Sequence, residues 1–88
     1  MNEGKLRDEV SRGSQAEAVL RNPVFEEAFD ALLSAYNNDL LNSEPDDIEL
    51  REQCYVAIQM LRQLRMEIEN VMQTGKMAQE ELGASRLH

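Results

Sequence analysis

Cysteine occurs once, at Cys54, and histidine once, at His88. No disulfide can therefore close within the chain, and one copy cannot assemble a zinc site from Cys and His ligands. No apolar run approaches the ~20 residues that span a bilayer. The opening "MNEGKLRDEV" has no apolar signal-peptide core. Glycine is scarce, and "GKMA" at 75–78 lacks the rest of a phosphate-binding loop. Bases are the minority charge, nine against 17 acids, for a net charge of −8. That balance disfavours nucleic acid and anionic lipid as direct partners. A lone cysteine fits a reducing compartment, so the expected location is the cytoplasm.

With 88 residues the chain is long enough for one modest core. At this size roughly 60% of the unfolded chain's surface is buried on folding, and small domains often gain stability from a disulfide, a metal or a partner chain. The first two are disfavoured here, so the composition points to oligomerisation.

The pattern along the chain is helical throughout, with no strand period, repeat or low-complexity tract. Residues 1–13 carry mixed charges and two glycines and read as a mobile or weakly helical arm. "SQAE" at 14–17 fits a capping box opening a short helix over about 15–21. "NPVFEE" is a second start: Asn22 caps and Pro23 takes the first helical position. Glu26, Glu27 and Asp30 then face the positive end of the helix dipole. Apolar residues at helical spacing carry this helix over about 23–41. "NSEPDD" breaks the chain and opens a long helix over about 46–82. Gly83 is a natural stop before a tail at 84–88.

The long helix has the strongest periodicity. Leu50, Ala57, Leu64, Val71 and Ala78 recur every seven residues, as do Cys54, Leu61, Ile68, Gly75 and Leu82. Together they form a coiled-coil-like seam. Ile58 and Met72 widen the stripe on one side and Met60 on the other, which suits a bundle. Gly75 is a weak point, costing ~1 kcal/mol relative to Ala within a helix. The expected fold is all-α: a single domain over 14–83, an antiparallel helical hairpin with a short N-terminal helix. The long helix, at ~1.5 Å per residue, would run roughly 50 Å and outreach its partner. Its C-terminal part would then need cover from another chain or from the N-terminal arm. Leu50, Cys54, Ala57, Leu61, Leu64, Ile68, Val71, Met72 and Leu82 are the candidate interface between copies.

No catalytic, metal or cofactor set is expected. Carboxylates are plentiful, but acid–base work needs a pair in a cleft with separated pKa values. Cys54 sits on the apolar seam with no base in the pattern to form a thiolate. "DLLNSEPDD" lacks the spacing and distal Glu of a calcium loop. Arg51, Arg62, Arg65 and Lys76 are interleaved with acids, as on a solvated helix flank. Glu26, Glu27 and Asp30 are the candidate acids for meeting a basic partner.

The stretch "RGSQAEAVLRNPVFEEAFDALLSAY", the later "LRQLRMEIENVMQTGKMAQEEL" and their order resemble a group of small uncharacterised helical proteins. Tailed bacteriophages and prophages encode them, often beside packaging and virion genes. The likeness covers about residues 12–82. Those relatives carry a tryptophan near the end of the first helix, where this chain reads "NNDLL". The resemblance implies a viral protein acting in virion assembly or on a host component, in the host cytoplasm or the virion. A larger virion or packaging protein is the partner it suggests. It transfers no functional residues.

Overall fold

A computed structural model describes residues 2–86 as three α-helices. Helix α1 spans Glu3–Arg21, α2 spans Pro23–Leu41 and α3 spans Ile48–Arg86. No strand occurs among the described residues. Leu87 and His88, the end of the expected tail, lie outside them.

Helices α1 and α2 follow one another end to end, and both pack antiparallel on α3. Gly13 meets Gly75 and Leu6 packs with Ala78 and Leu82. Further along, Phe29 lies under Arg65, and Tyr36 shares a hollow with Ala57 and Leu61. The molecule measures 64 × 24 × 16 Å. That narrow cross-section holds two helices side by side, α3 against α1 and then against α2.

The N-terminal region departs from the sequence reading. Residues expected as an arm are helical from Glu3, and the expected start at Ser14 lies inside α1. Asn2 is the true cap, its side chain accepting from the N–H of Lys5 at 3.1 Å. Along the helix, Arg7 pairs with Glu3 at 3.5 Å and Arg12 with Asp8 at 2.9 Å, each four residues apart. The larger cause is tertiary. Leu6, Val10, Gly13, Ala16 and Leu20 form the stripe that lies buried or half-buried, and α3 supplies the surface that covers it. Packing of an apolar stripe outweighs weak intrinsic propensity. The N-terminal segment thus covers the C-terminal half of α3, which the sequence reading had left to it or to another chain.

Helix α2 begins as its local chemistry requires. Asn22 Oδ1 accepts from the N–H groups of Val24 (2.9 Å) and Phe25 (3.1 Å). The same residue ends α1, with φ −69° and ψ 122°, because a residue before proline is pushed out of the helical region. After α2, Ser43 Oγ donates to the Leu40 carbonyl at 2.6 Å, and Asp47 Oδ1 accepts from the N–H of Leu50 at 3.2 Å to start α3.

Helix α3 passes through Gly75 and on past Gly83, the expected stop, to Arg86. Gly75 has a tertiary role. A Cβ built on it would stand 2.7 Å from the Gly13 Cα and 2.8 Å from the Glu9 carbonyl oxygen. The two backbones touch, and only glycine on both sides permits it. Gly83 turns no chain, since no described glycine has positive φ. Leu82, at 6% exposure, keeps the last turns docked on Leu6.

Candidate apolar interface

One flank of the α2–α3 pair is apolar and uncovered. Leu32 and Tyr36 from α2 and Ala57, Met60, Leu61 and Leu64 from α3 line an open hollow. Met60 is 59% exposed, Leu64 52% and Leu32 48%. The hollow continues past Ala57 toward the loop end, where Val56 and Gln53 lie with Glu49 and Glu52. Apart from the Tyr36 hydroxyl no ionisable group lines the first hollow, and its backbone groups are spent within helices. Chemically it can exclude water against another apolar surface and do little else.

The nine seam residues divide between two faces. Cys54 and Leu82 are buried within the chain, and Leu61, Ile68 and Met72 are half-buried there. Burial places Cys54 and Leu82 in the chain's own core rather than between copies, while the half-buried Leu61 also lines the open hollow. Leu64 and Val71 are exposed, Leu50 sits at the margin of exposure, and Ala57 is half-buried on the open flank. The physical reason lies in the two borders of the stripe. The Ile58 and Met72 border turns inward together with Arg65, while the Met60 and Leu64 border turns out.

The opposite flank is polar. Glu17, Arg21, Arg65, Glu69 and Lys76 line a shallow cleft there. Arg21 pairs with Glu17 at 3.0 Å and Arg65 with Glu69 at 3.2 Å. These are partly or largely exposed pairs, worth about 0–1 kcal/mol each. Arg65 also lies over the Phe29 ring, 5.2 Å from its centre. Glu26, Glu27 and Asp30 are all exposed, and none joins an ion pair among the described residues. Asp30 and Leu32 are two residues apart, hence on nearly opposite sides of α2. The candidate acids therefore stand away from the apolar flank.

Cys54, 3% exposed, is a buried free thiol. Among the described residues, no group of three or more His, Cys, Asp or Glu could hold a metal ion, and no helix is long and apolar enough to cross a membrane. Sequence reasoning did not single out Leu32, Tyr36 or Val56 as interface residues. The signal available was Met60 widening the stripe on the side away from Ile58 and Met72. Comparison with protein-family models, with curated proteins and with solved structures finds no match to the chain.

Proposed function

We propose that the chain is a small, non-enzymatic, self-associating structural or assembly factor that acts by helix packing. One observation carries this: the apolar flank formed by Leu32, Tyr36, Met60 and Leu64 lies open among the described residues. Exposed contiguous apolar surface of this kind marks an interaction site. The resemblance to small phage and prophage proteins supplies the setting, virion assembly or DNA packaging. A larger virion or packaging protein is then a candidate partner, and the host cytoplasm or the virion is the location. Light scattering on the purified chain is expected to give a multiple of its 10.1 kDa mass, and mass spectrometry of purified virions is expected to detect it. A monomer at micromolar concentration removes the self-association, and absence from virions removes a lasting structural part in them.

A second reading has its own observation. Glu26, Glu27 and Asp30 are exposed and join no ion pair among the described residues, as in an acidic inhibitor of a host nucleic-acid-processing or defence protein. Such binding would weaken with salt, because exposed charges are screened over ~10 Å at 0.1 M. The triple change Glu26→Gln, Glu27→Gln, Asp30→Asn is expected to abolish capture of such a basic partner. Capture unaffected by it eliminates this reading.

A further inference from the structure

We propose that a second copy of the chain docks antiparallel on the Leu32–Tyr36–Met60–Leu64 flank. A twofold axis passes close to Leu64, so two flat two-helix layers close into a four-helix bundle. This rests on the self-association reading and adds the face and the orientation.

The first support is area. The chain exposes 6760 Å², whereas a folded monomer of 10.1 kDa exposes about 5,300 Å². Its radius of gyration is 18.7 Å, against about 12 Å for a compact domain of this length. The excess surface, roughly 1,500 Å², is more than the ~800 Å² that each partner gives up in a standard interface. The flank gathers a contiguous set of uncovered apolar side chains, so one copy can cover another there. A twofold pair needs only one self-complementary patch, and with the axis near Leu64 each copy's Ala57–Leu64 stretch faces the partner's Leu64–Val71 stretch, where Leu64 and Val71 are exposed.

The second support is charge, which selects the orientation. Residues 22–67, the half of the rod with α2 and the loop, hold ten acids and three bases, net −7. The rest of the chain holds seven acids and six bases, net −1. Parallel packing sets the −7 half against its own copy, whereas antiparallel packing sets it beside the nearly neutral half. Gln53, Met60, Glu67 and Thr74 lie seven residues apart on one line of α3, and all four are exposed. In a parallel pair Glu67 would face the partner's Glu67, and like charges directly opposed are unfavourable. In an antiparallel pair centred near Leu64 the two Glu67 side chains are staggered on either side of the axis. Gln53 then comes opposite the partner's Thr74.

The test combines mass with cross-linking in a Cys54→Ala background. One preparation carries Gln53→Cys, the other Thr74→Cys, and the two are mixed and treated with a short bis-maleimide. The expected product is a 53-to-74 link between protomers at the dimer mass, with little 53-to-53 product. Met60→Asp and Leu64→Asp, both at exposed positions, are expected to weaken association by roughly 30-fold or more while monomer helicity is kept. A dimer giving mainly 53-to-53 links overturns the orientation and leaves self-association standing. A dimer that forms neither link and ignores both Asp changes overturns the face. A monomer overturns both this proposal and the reading beneath it.

Discussion

Gly75→Ala is expected to lower the melting temperature of this protein, although it puts the best helix former in the middle of a helix. On propensity alone the change should add about 1 kcal/mol. The contact with α1 opposes it. The new Cβ would meet the Gly13 Cα at 2.7 Å and the Glu9 carbonyl oxygen at 2.8 Å. Both obstacles are backbone, so no side chain can swing aside and α1 must move as a body. That shift loosens Leu6 and Val10 against Ala78 and Leu82. Overpacking of this kind typically costs ~1–3 kcal/mol, and more where backbone must move. The net expectation is a loss of about 1–2 kcal/mol, a fall of roughly 5–15 °C for a domain of this size. Gly83→Ala is the control. Nothing lies within 4 Å of its built Cβ, so it is expected to stabilise by up to ~1 kcal/mol. Thermal melts of the two variants, with hydrogen exchange resolved by helix, check the claim. A Gly75→Ala chain that melts as high as Gly83→Ala would show that α1 does not touch α3 there.

That contrast also marks what the sequence could and could not convey. Asn22, Pro23 and the end of α2 were legible because a cap or a break is decided by a few neighbours in the chain. That α3 is one long helix was legible from the helical spacing of its apolar residues. Which border of the stripe turned inward was not, since that depends on what lies across from it. Arg65 sits half-buried on the inward border, held by Glu69 and the Phe29 ring, and a charged residue does not announce a core position. Helix α1 was the largest miss. Its buried stripe contains Gly13 and Ala16, small residues that look like weak helix or linker until a second backbone is laid against them. Gly75 read as a weakness because its use, a close approach to Gly13, is tertiary.

Phe29→Ala is expected to destabilise the chain by about 3–5 kcal/mol, the range for truncating a buried aromatic. Phe29, 6% exposed, is the buried residue of α2. Its ring stacks near Phe25, with centres 6.1 Å apart, and receives the Arg65 guanidinium on its face. The cation–π contact contributes only ~0.5–1 kcal/mol, so burial dominates. Phe29→Leu, which keeps most of the apolar volume, should therefore recover the larger part of the loss. Urea unfolding of the two variants separates the terms, and a cost below about 1 kcal/mol for Phe29→Ala would mean that α2 is not anchored at this ring. The change also reaches the proposed interface. Leu32 and Tyr36 hold their places on the flank only while α2 lies against α3. Phe29→Ala should accordingly lose helicity and association together. Leu64→Asp, placed on the outer surface, should lose association alone. Two variants that differ in this way separate the packing that makes the rod from the packing that pairs it.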